Sequence, residues 1–366
     1  MTLLNLTKKL IEIPSYVDNK NNETNLGNFI YQYLKQNLPW LNVEKQIVEN
    51  NRFNIIALPK GKVNMVFLSH MDTVNPIGNI KKQLTPIVKN NKLYGLGSAD
   101  MKSGMATAIK VVESIGENSK TGLIFDIDEE YYFKGVTKLI KDIYISPKLI
   151  ICPEPTNLRV INGCRGILEI ELEIRGKSGH ASRPNDGTNA IELAVDLVKQ
   201  LSVKLQQLDN KEIGKSTINL AFLEGGIYTE NVKQKYKIQA NAIPDYARLI
   251  IDIRPAFSNT KAVSKLTKEI ITSLNGTLIS YKTNLNLQGY LAKRKLIEQY
   301  LPKNVLFAKD LDTFGFYEAS IISNSLKIPA ISFGPTGKGH IENECVDIDS
   351  IYKTEKIFQE IIRKVN

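Results

Sequence analysis

The chain has 366 residues, which suggests two domains or one large α/β domain with an insertion. Its hydrophobic content of 42% is that of an ordinary globular protein. No apolar run approaches the roughly 18–20 residues that span a bilayer. The three cysteines have no paired spacing, which argues against a disulfide framework or a cysteine-based zinc site. The net charge of +10 comes from lysines scattered along the chain, which argues against a nucleic-acid-binding arm and favours a solvated surface, with attraction to an acidic substrate or an acidic carrier protein as the alternative.

The N-terminal part of the sequence predicts helices followed by βα units. Residues 1–38 read as helix, interrupted by a polar loop near residues 14–22. Short apolar runs bounded by turn residues then predict strands that are buried on both faces, as in a doubly wound, mostly parallel sheet. These runs are residues 64–68, 122–127, 149–152 and 329–333, with helical patterns at 102–115 and 136–143. No segment resembles a secretory signal, so we expect a cytoplasmic α/β protein without a membrane partner.

The middle of the chain has a different pattern. Residues 166–175 alternate apolar and polar side chains, which is typical of a sheet with one solvated face. A helix at 189–205, a strand at 246–254 and a helix at 261–274 complete a β-α-β-β-α-β pattern of the ferredoxin-like kind. We therefore predict a catalytic domain formed by residues 1–165 and 283–366, and an inserted α+β domain formed by residues 166–282.

Five polar clusters lie at the ends of predicted strands or at the entrance of a helix, and ligands of open parallel sheets bind at the carboxyl ends of strands. In the first cluster, an extended His70-x-Asp72 segment directs both side chains to one face, so Asp72 can orient the imidazole of His70. An unrelated structural His–Asp pair is the alternative. In the second cluster, Asp100 follows a glycine-rich stretch at a helix entrance, where its alternative role is that of an N-cap.

The remaining clusters add carboxylates and a second imidazole. The segment 126–130 holds four carboxylates in five residues, which repel one another unless cations or solvent intervene, although a surface turn is an alternative. Glu154 lies between two prolines after another strand, where a solvated turn is equally compatible with the sequence. His340 lies in a loop after the last predicted strand, and a lone loop histidine is usually solvated.

Taken together, the clusters favour a metal site. Only three histidines occur in the chain, and two of them, His70 and His340, lie in these clusters. Two imidazoles and three carboxylates can hold a pair of metal ions bridged by one carboxylate. Two ions about 3.5–4 Å apart can hold a bridging water and polarise a carbonyl, and Glu129 can serve as the base beside that water. The proposed donor set is His70, Asp100, Glu130, Glu154 and His340.

In this order, the clusters resemble the zinc family of acetylornithine deacetylases, succinyl-diaminopimelate desuccinylases, aminoacylases and glutamate-type carboxypeptidases. The resemblance extends from His70 to Glu344. It implies two zinc ions, with cobalt or manganese as alternatives, and it implies that Glu129 is the general base and Asp72 the residue that orients His70. The implied ligands are His70, Asp100 and Glu154 for one ion, and Asp100, Glu130 and His340 for the other.

The resemblance also covers the inserted domain. His180 lies in a segment similar to the family's lid motif, in which the matching histidine reaches the partner subunit's active site and stabilises the oxyanion, an interaction worth about 2.7–4 kcal/mol. This implies a homodimer; without the resemblance, His180 reads as a turn residue. Asn241 and Arg254 match substrate-contacting lid residues, the arginine through a carboxylate, although a strand-face salt bridge is the alternative for Arg254. Glu318 and Gly334 complete the expected substrate-binding residues.

The substrate is less clearly indicated. Residues 316–319 read Phe-Tyr-Glu-Ala, which is similar to the Thr-Glu-Ala of acetylornithine deacetylases except that tyrosine replaces threonine. We therefore expect a dizinc deacylase of small N-acyl amino acids that acts in amino-acid biosynthesis. A di- or tripeptidase, a carboxypeptidase and a desuccinylase-like enzyme are alternatives with the same metal site. A binding protein on a degenerate hydrolase fold is an alternative of a different class, and we expect no nucleic-acid partner.

Overall fold

The computed structural model describes residues 1–230 and 235–366. The chain divides into two compact units. The first unit consists of Met1–Asn162, Ala292–Lys309 and Tyr317–Asn366, and the second consists of Gly163–Leu291 and Asp310–Phe316. Among the described residues, no helix has both the length and the apolar character needed to cross a bilayer.

The first unit is built on a six-stranded sheet. In spatial order its strands are Leu41–Glu49, Arg52–Pro59, Thr121–Asp126, Met65–His70, Leu149–Cys152 and Ala330–Ser332. The last four strands pair in parallel, whereas the first two form an antiparallel hairpin that also pairs antiparallel to the third. The α/β class is thus confirmed, and the sheet is mixed: four of its six strands are parallel to one another, in agreement with the prediction of a mostly parallel sheet.

The hairpin has a local cause. Asn50 adopts a φ of 49° in a tight turn, and a hairpin needs only such a turn, whereas parallel neighbours need a crossover helix. The outer strand Leu41–Glu49 buries Leu41 and Val43 and leaves its other side chains exposed or half-buried, as expected for a sheet edge. The three central strands Met65–His70, Thr121–Asp126 and Leu149–Cys152 are buried throughout.

Helices of the first unit pack in two groups. Ser103–Ile115 contacts both Leu3–Glu12 and Ile348–Val365, and Lys134–Asp142 contacts Glu318–Leu326. The Phe358 ring lies 4.6 Å from that of Phe67 and 5.9 Å from that of Phe333, which links the C-terminal helix to the core around the sheet. The remaining helices are Thr24–Asn37, Ile80–Gln83 and Arg294–Glu298.

Short strands complete the first unit. A small sheet contains, in spatial order, Gly337–Lys338, Cys345–Asp347, Lys92–Tyr94 and Ile87–Lys89. A further short pair joins Arg159–Val160 and Leu306–Phe307. The small sheet matters for the site because it joins the segment before Asp100 to the segment around His340.

The second unit is an α+β fold. Its sheet contains, in spatial order, Tyr236–Lys237, Thr217–Tyr228, Tyr246–Arg254, Ile167–Arg175 and Thr277–Leu287, all antiparallel. The helices Ala190–Gln206 and Lys261–Ser273 pack with the buried face of the sheet into one apolar core. Gly163–Cys164 pairs with Tyr290–Leu291. A lid or dimerisation role of this unit stays a prediction.

Candidate metal centre

Three of the polar clusters follow parallel strands that end at one edge of the first unit's sheet. His70 is the last residue of its strand and pairs in register with Asp126, the last residue of the adjacent strand. Glu154 follows the third strand, Leu149–Cys152, by two residues. Because parallel strands place their carboxyl ends together, clusters that are far apart in sequence meet at this edge.

Asp100 lies between the two imidazoles. Its Oδ1 is 3.1 Å from Nε2 of His70, and its Oδ2 is 3.3 Å from Nε2 of His340. The Asp100–Met101 peptide bond is cis, and the following helix begins at Ser103. The Asp100 carboxylate therefore faces the histidines rather than capping this helix.

The other predicted donors lie around this carboxylate. Nε2 of His340 is 3.0 Å from Oε1 of Glu130, and Nε2 of His70 is 3.8 Å from Oε1 of Glu154. Two groups of donor atoms each lie within 4.8 Å of one another, and they share Asp100. The groups are His70, Asp100 and Glu154, and Asp100, Glu130 and His340.

The charge distribution fits cations. Oε1 of Glu154 is buried and has no hydrogen-bond partner among the described residues, so an oxygen lone pair inside the donor group is left unsatisfied. Burial raises the pKa of Glu154 well above its usual value, and the neighbouring charge of Asp100 adds to this effect. Imidazole and carboxylate donors at this spacing suit zinc and similar divalent ions. The residues therefore fit a pair of such ions.

The pKa values of the two imidazoles are also raised, and for an imidazole this favours the charged form. Hydrogen bonds to Asp100 and Glu130 raise the pKa of His340 to about 11. Burial opposes ionisation of Asp100, but the hydrogen bonds with His340 and His70 outweigh it and hold the pKa of Asp100 well below its usual range. Without a metal ion, the charged imidazolium form of both histidines is therefore favoured, and metal binding would release their protons while the neutral rings remain as donors.

Glu129 lies beside the donor groups. Its carboxylate belongs to one close group with His70 and Glu130, and to another with Glu154 and Glu318. Burial raises the pKa of Glu129 well above its usual value, and the charges of Glu154 and Glu130 add to this. A buried carboxyl with a raised pKa next to a metal site is a candidate proton carrier.

Asp72 has more than one contact. Its backbone carbonyl oxygen lies 3.1 Å from Nδ1 of His70, whereas its carboxylate Oδ1 lies 3.7 Å from the same nitrogen. The carboxylate accepts hydrogen bonds from the backbone N–H groups of Glu129 at 3.2 Å and Glu130 at 2.9 Å. Asp72 thus contacts His70 chiefly through its carbonyl, and its side chain holds the backbone of the Glu129–Glu130 pair.

Two further predicted residues of the first unit lie close by. Glu318, the first residue of its helix, is fully buried, and its carboxylate lies in the group with Glu129 and Glu154. Gly334 donates its N–H to Oγ1 of Thr156 at 3.0 Å. A Cβ at Gly334 would lie 2.4 Å from the carbonyl oxygen of Glu154, so this close approach requires glycine.

His180, Asn241 and Arg254 belong to the second unit, whereas the five donors belong to the first. His180 is exposed, and its Nδ1 lies 2.8 Å from Oγ of Ser182. The carbonyl of Asn241 accepts a hydrogen bond from Ala181 N–H at 3.0 Å, so these two candidate segments are neighbours. Arg254 donates from Nε to Oδ1 of Asp252 at 2.8 Å and from Nη2 to Oδ2 at 3.1 Å, which is the salt bridge considered as its alternative.

Sequence analysis missed two supporting interactions of the first unit. Arg52 is buried and donates hydrogen bonds to Glu23 and to Asp128, the residue immediately before Glu129. Glu344 is buried, and its carboxylate accepts hydrogen bonds from the backbone N–H groups of Gly97, Ala99 and Asp100. Neither interaction has a sequence signal, because the partners are distant in the chain and charged residues are common.

Comparisons with known proteins identify the family. A family model described as Peptidase family M20/M25/M40 matches residues 66–364. Acetylornithine deacetylase of Buchnera aphidicola subsp. Schizaphis graminum (strain Sg) is 31% identical over 241 residues, which cover 62% of this chain and 63% of that relative. The match thus spans less than two thirds of that relative's length.

Solved structures show the same fold. A tripeptidase from Staphylococcus aureus subsp. aureus Mu50 superimposes with a TM-score of 0.71 at 21% identity, covering 99% of this chain and 97% of that chain. A Bacillus subtilis protein described as a dinuclear metal binding peptidase gives a TM-score of 0.68 at 14% identity, covering 98% of this chain and 96% of that chain.

Proposed function

The chain belongs to peptidase family M20/M25/M40, and from this premise we propose that it is a metal-dependent amide hydrolase that removes the acyl group from a small N-acyl amino acid. The observation that carries the proposal is the convergence of two imidazoles and three carboxylates in the first unit, with Asp100 shared between two donor groups. The acyl amino acid is favoured because the curated relatives include acetylornithine deacetylases. We place the reaction in the cytoplasm and in amino-acid biosynthesis.

Two ions, zinc in our proposal and cobalt or manganese as alternatives, would be held by the two donor groups. One group is His70, Asp100 and Glu154, and the other is Asp100, Glu130 and His340. When bound, such ions polarise the amide carbonyl and make a water molecule acidic enough to lose a proton near neutral pH. The carbonyl of Asp72 fixes the ring of His70, because Nδ1 can donate to it while Nε2 faces Asp100.

Glu129 moves the proton. As the oxygen of water attacks the amide carbon, the Glu129 carboxylate accepts the proton that this water loses. The same carboxyl then donates that proton to the amide nitrogen as the carbon–nitrogen bond breaks, which yields a carboxylic acid and an amine. Burial raises the pKa of Glu129, and this favours retention of the proton between the two transfers.

Residues of both units complete the proposal. We assign His180 of the partner subunit in a homodimer to stabilise the oxyanion, and Asn241, Arg254, Glu318 and Gly334 to substrate binding. The guanidinium of Arg254 already forms two hydrogen bonds with Asp252, so a substrate carboxylate must share it or displace that carboxylate. A planar guanidinium with five donors can serve two carboxylates at once.

The test combines Glu129→Gln with a substrate panel. Zinc-loaded protein is assayed with acetyl-ornithine, succinyl-diaminopimelate, simple dipeptides and tripeptides. We expect hydrolysis of the acyl amino acid, and a loss of roughly 10²–10⁴-fold in kcat for the variant, because it lacks the proton acceptor. Bound zinc, measured by elemental analysis, should be unchanged, because Glu129 is not assigned as a ligand.

The outcomes separate the alternatives. Full activity of Glu129→Gln would refute the base assignment. Cleavage of dipeptides or tripeptides without deacylation would make the protein a peptidase with the same metal site. Failure of the wild-type protein to bind zinc in a titration would refute the metal-dependent hydrolase and favour a binding protein on this fold.

A further inference from the structure

Glu344 is a buried side chain whose carboxylate accepts hydrogen bonds from backbone N–H groups. Its side chain is almost completely buried. Oε2 accepts the N–H of Gly97 at 2.9 Å, and Oε1 accepts the N–H of Ala99 and of Asp100, each at 3.0 Å. Glu344 belongs to none of the donor groups found among the described residues. Its carboxylate is thus directed at the loop that presents Asp100.

The backbone around Glu344 ties the same two segments together. Cys345, the next residue, pairs with Tyr94 in the small sheet, and the carbonyl of Glu344 accepts the N–H of Gly95 at 3.1 Å. On its other side, the strand Gly337–Lys338 pairs with Cys345–Asp347, which makes residues 339–344 the connection of a hairpin. His340 lies in this connection, four residues before Glu344.

The hairpin lies against Asp100 itself. A Cβ built on Gly339 would be 3.0 Å from Cβ of Asp100, and Nε2 of His340 is 3.3 Å from its Oδ2. Glu344 therefore fixes the backbone of Asp100 from one end of the hairpin connection, while His340 contacts its side chain from the other end. The relative position of the two donors depends on this one short connection.

From these contacts we propose that Glu344 is a positioning residue, which holds the Asp100 loop so that its carboxylate lies between His70 and His340. The inference deepens the proposed function and rests on it. A carboxylate suits this role, because it is acceptor-only and can take three N–H groups with its two oxygens. Groups behind metal ligands that orient them commonly change metal affinity 10–100-fold when they are replaced.

The variant Glu344→Gln tests the assignment. Glutamine has the same size but replaces one acceptor oxygen with an NH₂ group, which faces a backbone N–H and cannot accept from it. We expect zinc affinity, measured by competition with a chelator, to fall 10–100-fold for at least one ion. In zinc-free protein, amide hydrogen exchange of residues 95–101 should accelerate, a readout that does not depend on activity or on metal.

The matched control is Asp347→Asn. Asp347 is also a carboxylate that accepts a backbone N–H, that of Ser350 at 2.8 Å, where it caps the C-terminal helix. Asparagine caps helices about as well as aspartate, so zinc affinity and exchange of residues 95–101 should match the wild type. Similar losses in both variants would show a general effect of altering this segment and would contradict the proposal.

The proposal can fail independently of the proposed function. Wild-type zinc affinity and unchanged exchange in Glu344→Gln would overturn it, even in an active hydrolase. If the wild type hydrolyses no member of the substrate panel, the proposed function fails while the affinity and exchange measurements still test Glu344. Glu344→Asp is measured in parallel in case the glutamine variant does not fold. Wild-type affinity of that variant would also contradict the proposal, because the shorter side chain cannot reach all three amides.

Discussion

Replacing Arg52 with methionine should destabilise the first unit strongly. Arg52 donates from Nε to Oε2 of Glu23 at 2.9 Å, and from Nη2 to Oε1 of Glu23 at 2.5 Å and Oδ1 of Asp128 at 2.8 Å. All three side chains are buried. Methionine fills a similar volume but leaves two carboxylates buried without their cation. Breaking a buried ion pair in this way costs about 3–5 kcal/mol.

The local conformation gives the same substitution a second effect. Asp128 adopts a φ of 72°, a region that non-glycine residues seldom occupy, and it immediately precedes Glu129. Its contact with Arg52 helps to hold that conformation, which directs the backbone of Glu129 and Glu130 toward Asp72. Arg52→Met should therefore lower kcat, as well as stability.

Urea unfolding of the zinc-free protein measures the stability change. The single tryptophan of the chain, Trp40, packs against the core of the first unit, so its fluorescence reports unfolding of that unit. The triple variant Glu23→Gln/Arg52→Met/Asp128→Asn is the control, because it removes the unpaired charges along with the cation. We expect it to recover most of the lost stability. A cost below about 1 kcal/mol for Arg52→Met would match an exposed ion pair and refute the reasoning.

Two further substitutions test the surroundings of the donors. Burial raises the pKa of Asp126 to about 7 from 3.8, so its contribution is favourable at low pH and is lost as pH rises through 7. The Asp126→Asn variant should therefore be as stable as the wild type near pH 4, and more stable than the wild type above pH 7 by on the order of 4 kcal/mol. Thermal unfolding from pH 4 to 8 measures this difference, and an equal gain in stability at both ends of the range would contradict the reasoning. In Gly104→Ala, the new Cβ would lie 1.8 Å from the carbonyl oxygen of Pro153, so the backbone next to Glu154 must move. We expect weaker zinc binding and a lower Tm, whereas Gly315→Ala, where nothing lies within 4 Å, should change neither.

The sequence predicted the donors because topology brings them together. Short apolar runs between turn residues indicate buried parallel strands, and such strands place their carboxyl ends at one edge. His70 and Glu154 follow strands of this kind, and their side chains lie near each other in the structure. His340 required more than topology, since it is reached through the small sheet of short strands, which has no clear pattern in the sequence.

What sequence analysis missed depends on partners that only the folded chain supplies. The strands Leu41–Glu49 and Arg52–Pro59 were not predicted as an antiparallel hairpin, although this hairpin carries Arg52 to Asp128. The carboxylate of Asp72 was expected at the ring of His70, but two backbone N–H groups hold it more closely. A sequence motif specifies which residue types occur at which spacing along the chain. Hydrogen-bond partners depend instead on distances in the folded chain, which the spacing along the sequence does not give.

These supporting contacts help to explain how several carboxylates can lie close together in an arrangement that fits cations. Glu129, Glu130 and Glu154 repel one another when ionised, which is part of why burial and neighbouring charge raise the pKa of each. The loop that carries Glu129 and Glu130 is fixed by contacts outside the donor groups, through Asp72 and Arg52. Since these contacts do not involve a metal ion, the donors can keep their geometry while protonated. In the proposed function, metal binding would then require loss of protons from the donors rather than rearrangement of the backbone, because the donor atoms within each of the two proposed groups already lie within 4.8 Å of one another.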